Sequence, residues 1–195
     1  PDGLGAQSAA VSGALTLSPD GGVFLRGAIL DLDGNRLTGA ADLALGGPRL
    51  KLTAKLSGET VALNAVAGTA NAEAGTATPG WSTTKIDVGS LGVMDADIGL
   101  TLAGLSYGDV ALGATRLRLV IDRARAVADL AEVEAYGGSI AGKVVVNGRD
   151  GLSMRANLAL AGLEMQPLLT AVAGYDRLVG TGDLTLDVLA VGNSE

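Results

Sequence analysis

Apolar side chains recur at every second position along most of this 195-residue chain, and each run stops at a cluster of turn residues. No other feature limits the fold so strongly, because a period of two puts one apolar row and one polar row on opposite faces of an extended segment. Leu15 and Leu17 precede Pro19-Asp20-Gly21-Gly22, and Phe24, Ala28, Leu30 and Leu32 run into Asp33-Gly34-Asn35, a hairpin signal. Leu43 and Leu45 lead to Gly46-Gly47-Pro48, after which Leu50, Leu52, Ala54 and Leu56 alternate with Lys51, Thr53 and Lys55. Ile98, Leu100 and Leu102 alternate with Asp97, Gly99 and Thr101, and Leu117, Leu119 and Ile121 with Arg116, Arg118 and Val120. Val144 and Val146, then Met154 to Leu160, then Leu184 to Val188 repeat the pattern. The connections read as short turns. That predicts antiparallel pairing, since parallel neighbours need a crossover of a dozen or more residues.

Two stretches break the period. Residues 68–80 are mainly Gly, Ala, Thr and Asn, with Pro79, a composition that cannot offset the entropy of ordering. They read as a linker or long loop between an N-terminal hairpin segment, residues 1–67, and a second unit, residues 81–195. Met165, Leu168, Leu169 and Val172 fall at i, i+3, i+4 and i+7, with Pro167 early and Gly174 just beyond. This spacing predicts a short amphipathic helix near 165–173, and at most one further helical turn is expected near Asp87 to Leu91. The predicted fold class is therefore mostly β: an antiparallel twisted meander forming an open groove, with one short amphipathic helix. A closed sandwich needs two complementary inner faces, whereas these strands supply mainly one apolar face each.

Composition narrows the functional classes. Hydrophobic residues make up 48% of the chain and aromatics only 3%, so the core must come from Leu, Val, Ile and Ala. A net charge of −7 repels phosphate backbones, and no cluster of Lys or Arg interleaves with aromatics, so nucleic acid is not expected as a partner. The absence of Cys and His removes thiol nucleophiles, disulfides, Cys/His zinc sites and histidine acid–base chemistry together. No apolar run approaches the roughly 18 residues that cross a bilayer. The chain opens on Pro1 without a signal-peptide pattern, and is expected to be an internal or processed piece whose targeting signals lie elsewhere.

The motifs with a chemical reading each have a simpler one. Gly137-Gly138-Ser139-Ile140-Ala141-Gly142-Lys143 has P-loop spacing, but Val144 replaces the magnesium-binding hydroxyl and a strand follows where a P-loop opens a helix. The pairs Asp31/Asp33, Asp95/Asp97 and Glu132/Glu134 put two carboxylates on one strand face, where a solvated surface explains them as well as calcium does. Asp31 to Asn35 has its Gly one step early for a calcium loop and lacks the closing Glu. Ser139 and Lys143 would have to meet from separate positions along one strand to form a Ser–Lys pair. Trp81 reads as a core or sheet-edge plug. No enzyme, cofactor or metal is expected.

From Trp81 to about Val191 the order of small motifs resembles the carboxy-terminal region of the AsmA family. It runs Trp81-Ser82, Ile86-Asp87, Leu91, Asp95-Ala96-Asp97 before a strand, and Tyr136-Gly137-Gly138 before another. Pro167-Leu168-Leu169, Gly174-Tyr175-Asp176-Arg177-Leu178 and Gly180-Thr181-Gly182 complete it. The resemblance implies a periplasmic protein of a Gram-negative bacterium, anchored in the inner membrane through parts absent here. It also implies a long β-groove that carries phospholipid or another envelope lipid toward the outer membrane and supports outer-membrane biogenesis, possible envelope proteins being further partners. The alternative is a structural or protein-binding β-domain that assists outer-membrane protein assembly without lipid.

Period-two geometry nominates the groove lining: Leu100, Leu102, Leu117, Leu119, Ile121, Val144, Val146, Leu158, Leu160, Leu184 and Leu186 are expected on one side of the sheet. At least one terminal strand is expected to leave an open hydrogen-bonding edge.

Overall fold

In the computed structural model, the residues described are 8–62, 92–107, 110–149 and 151–192. They form one ten-stranded sheet whose spatial order follows the chain: β1 (Ala9–Leu17), β2 (Gly22–Leu32), β3 (Asn35–Ala44), β4 (Lys51–Ala62), β5 (Asp95–Tyr107), β6 (Val110–Asp122), β7 (Arg125–Ala135), β8 (Gly138–Asn147), β9 (Leu152–Glu164) and β10 (Thr181–Gly192). The helix α1 (Met165–Ala173) lies between β9 and β10. The expected linker at 68–80, the helical turn near Asp87 and Trp81 all fall outside the described residues.

Eight of the nine neighbouring pairs are antiparallel, but β4 and β5 run parallel, with Leu52 opposite Ala96 and Leu56 opposite Leu100. The sheet is therefore mostly antiparallel, as the alternation and turns imply, with one parallel junction. The short-turn premise fails at one junction, because residues 63–94 separate these two strands, ample length for a crossover. The N-terminal strands therefore share a sheet with the rest.

Among the described residues β1 and β10 each pair on one side only, so the sheet is not closed and both are free edges. A twisted open sheet of about ten strands curls rather than staying flat, and bulges in β2, β7 and β9 add local bend. The result is consistent with an open groove.

Helix α1 begins after the extended Glu164 and ends at Gly174, whose left-handed φ of 64° lets its N–H turn back to the last carbonyls. Met165 and Leu168 of this helix pack on Leu160 and Leu163 of β9. The helix thus marks one rim of the sheet, called here the helix rim. The two-residue turns at 33–34 and 136–137 share that rim. The opposite rim carries the turns at 18–21, 45–50 and 123–124 and the ends of β8 and β9 at Asn147 and Leu152.

The polar face is laced by cross-strand ion pairs. Arg118 grips Asp97 through two hydrogen bonds of 2.8 and 2.6 Å, Lys143 meets Asp129 at 3.0 Å, and Arg26 meets Asp42. The Arg118 bond holds the Asp97 carboxyl below the usual carboxylate range. Such exposed pairs contribute little individually, about 0.2–1 kcal/mol, but they mark this face as the wet one.

Candidate functional site

One row of directly opposed residues crosses the whole sheet: Leu15, Leu25, Ala41, Ala54, Ile98, Leu119, Ala128, Val144, Ala156 and Val188. Every member is apolar. With strands about 4.8 Å apart, this single row runs roughly 43 Å. A parallel row joins Leu56, Leu100, Leu117, Leu130, Gly142, Leu158 and Leu186. Counting in steps of two from these rows puts all eleven nominated residues, from Leu100 to Leu186, on this one face, and extends it over β1 to β4.

The face is unevenly covered. Toward the helix rim, Leu37, Val61 and Leu102 form one tight cluster, and Ala135, Leu160 and the fully buried Leu163 form another. Elsewhere the nominated side chains are only half-buried, and Leu184 is 44% exposed. Leu117 and Leu119 sit mid-sheet, where a sandwich would bury them completely, yet both keep solvent access. Thr115, a buried polar residue of this face opposite Leu102, is satisfied by donating to the Gly113 carbonyl at 3.1 Å.

Simple alternation misses several residues of the same face, among them Val61, Leu105, Leu112, Val133 and Leu163, all found in or beside the tight clusters or buried near them. Leu112, Val133 and Leu163 each lie at a register shift against a neighbouring strand. Between Leu160 and Leu163, β9 carries one residue more than β10, with Gly162 at φ 66° and its N–H held by Asp183 at 2.7 Å. A lone Gly inside a strand pattern is the available signal for such a bulge.

The motifs weighed for chemistry have structural employment. Gly142, within the P-loop-like run, sits in β8 where an added Cβ would lie 2.1 Å from the Asn157 carbonyl oxygen, so close backbone approach requires glycine. Ser139 and Lys143 share the polar face four residues apart, and Lys143 is held by Asp129. Among the acid pairs, Asp31 accepts the Gly34 N–H in its hairpin at 2.9 Å, Ser8 donates to Asp33, Arg116 lies 3.7 Å from Glu132, and Glu134 accepts the Ala114 N–H. Asp95 accepts the backbone N–H of Arg123 and Nε–H of Arg49, both at 3.0 Å, which ties β4, β5 and the β6–β7 turn together. The Arg123 N–H first, and Arg49 with it, hold the Asp95 carboxyl below the usual carboxylate range.

No curated protein and no solved structure matches the chain. The AsmA family model, by contrast, matches residues 28–195, which takes in β3 to β10 entire and the last five residues of β2, and so reaches N-terminal strands where no motif pointed to the family. An open, mostly antiparallel sheet with a continuous apolar face is thus the form taken by a chain that belongs to the AsmA family.

Proposed function

We propose that this chain shelters lipid acyl chains on its apolar face and conducts them along the groove, in the periplasm, between the inner and outer membranes in support of outer-membrane biogenesis. One observation carries the reading: an all-apolar row spans ten strands while its central large side chains keep solvent access. Each methylene withdrawn from water gains about 0.8 kcal/mol, so a chain of roughly sixteen carbons gains over 10 kcal/mol without any specific polar contact. The activity needs no catalytic step, metal or cofactor. Phospholipid or another envelope lipid is the cargo, and membrane anchorage comes from parts of the protein outside this chain.

The test is a photocrosslinking residue placed at Leu119 or Leu158 on the apolar face, with Lys143 on the polar face as control, in cells of a Gram-negative host. Lipid adducts at the first two positions and not at the third are expected. Native mass spectrometry of the purified chain should show co-purified phospholipid. If probes at Leu119 and Leu158 capture no lipid, the reading fails. A protein-binding role without lipid draws its support from the free edges: β1 and β10 are exposed almost throughout, and Leu189 and Val191 of β10 point away from the groove at 72% and 74% exposure. Protein adducts concentrated on β10 would favour it.

A further inference from the structure

The two rims differ in charge. Around β4 to β9, the rim opposite the helix carries Arg49, Lys51, Arg123, Arg125 and Arg149 against Asp95 and Asp122. Cations remain in excess even after counting Asp150, which lies outside the described residues. The helix rim over the same strands carries Glu59, Glu134 and Glu164, and Asp183 follows on β10. A chain of net charge −7 thus concentrates arginine along one lip of its groove.

At the centre of that lip the β6–β7 hairpin turns through Arg123 and Ala124, both at positive φ, 45° and 62°. A two-residue turn with both φ values positive is best made by Asn-Gly or Asp-Gly, and the hairpins at Asp33-Gly34 and Tyr136-Gly137 place Gly second. Only this described hairpin holds two residues with side chains in the left-handed region, at a cost of roughly 1 kcal/mol or more each. Strain kept at one place calls for a local return, and the Arg123 side chain is 69% exposed, with the shared Asp122 carboxylate 3.2 Å away. Arg149 braces the same turn, donating to the Arg123 carbonyl at 2.7 Å and to the Asp122 carbonyl at 2.9 Å.

We infer that Arg123, at the arginine-bearing rim, binds the phosphate of a phospholipid headgroup while the acyl chain lies on the apolar face below; this rests on the lipid-groove reading. The spacing suits it. Ile121 and Ala126, the first apolar-face residues inside the turn, oppose each other directly. From Ile121 to Leu117 the strand covers about 13 Å, and to Thr115 about 20 Å, against roughly 15 Å for an acyl chain in one leaflet. A chain entering at this rim therefore ends short of the tight clusters at the helix rim. The acidic helix rim repels the same phosphate, so the headgroup has one preferred lip.

The experiment measures binding of three probes to the purified chain: palmitoyl-lysophosphatidylglycerol, monopalmitoylglycerol, which has the same chain without phosphate, and glycerol phosphate, which has no chain. The native protein should prefer the phospholipid to the neutral lipid by about fivefold, the worth of one arginine near a phosphate surface, and should not retain glycerol phosphate. Arg123→Asn/Ala124→Gly installs the favoured turn sequence and leaves the backbone N–H to Asp95 in place. It should melt higher than the native chain, bind monopalmitoylglycerol unchanged and lose the fivefold preference. Ala124→Gly alone should keep the preference. A double variant that still prefers the phospholipid overturns the inference while leaving the groove reading intact, as does equal binding of the two lipids by the native chain. Glycerol phosphate bound as tightly as the lysolipid overturns it in favour of a free-phosphate site. Failure of the native chain to bind either lipid removes the groove reading, and the headgroup assignment with it.

Discussion

Two leucines on the same face separate an open groove from a sealed core. Leu163 has no exposed surface and packs beside Leu160, whereas Leu119 is half-buried between Ile98 and Ala128. Leu163→Ala removes a fully enclosed side chain and leaves a cavity, at a cost of about 3–4 kcal/mol. Leu119→Ser removes a side chain that keeps water on one side. About half of a leucine's transfer energy is lost, roughly 1 kcal/mol, no closed cavity forms, and the serine hydroxyl stays hydrated. For a chain of this size each kcal/mol moves the melting temperature by about 2–4 °C. The expected drops are therefore about 10 °C for Leu163→Ala and about 3 °C for Leu119→Ser, read by thermal melting and by the urea midpoint at unchanged slope. Equal losses at the two positions would mean that Leu119 lies in a closed core, and the groove would have no room for an acyl chain.

The depressed Asp95 and Asp97 carboxyls stabilise the fold above the ordinary carboxylate range, and that contribution is lost as pH falls below about 4 through their lowered values. Melting temperature measured against pH should fall steeply there, and Asp95→Asn/Asp97→Asn should flatten the acid limb; an unchanged slope would refute the assignment. Gly142→Ala forces a Cβ to 2.1 Å from the Asn157 carbonyl oxygen at φ 146°, so it should destabilise by at least about 2 kcal/mol, and a neutral result in urea unfolding would contradict the β8–β9 approach. Leu189→Lys/Val191→Lys charges the free β10 edge and should reduce self-association in analytical ultracentrifugation without lowering the melting temperature; undiminished association would place the sticky surface elsewhere.

The resemblance to the AsmA family was legible from Trp81 onward, and the family match reaches back to residue 28, into strands whose texture alone offered no motif. The helix at Met165–Ala173 was also legible, since Pro167 and Gly174 bracket an i, i+3, i+4 pattern. Alternation alone determined which side of each strand would be apolar, because a period of two leaves a side chain no other face. What alternation could not determine was anything that depends on a neighbouring strand. The parallel junction of β4 and β5 came from residues 63–94 being long enough to cross over, and chain length permits such a crossing without requiring it. Leu163 entered the core only because a bulge at Gly162 reverses parity against β10, and a bulge is defined by two strands together. The arginine rim arises in the same way: Arg49, Arg123 and Arg149 are far apart in the chain and meet only because the parallel β4–β5 pairing brings Arg49 to Asp95, which also takes the Arg123 N–H, and the β7–β8 hairpin returns Arg149 to the Arg123 carbonyl.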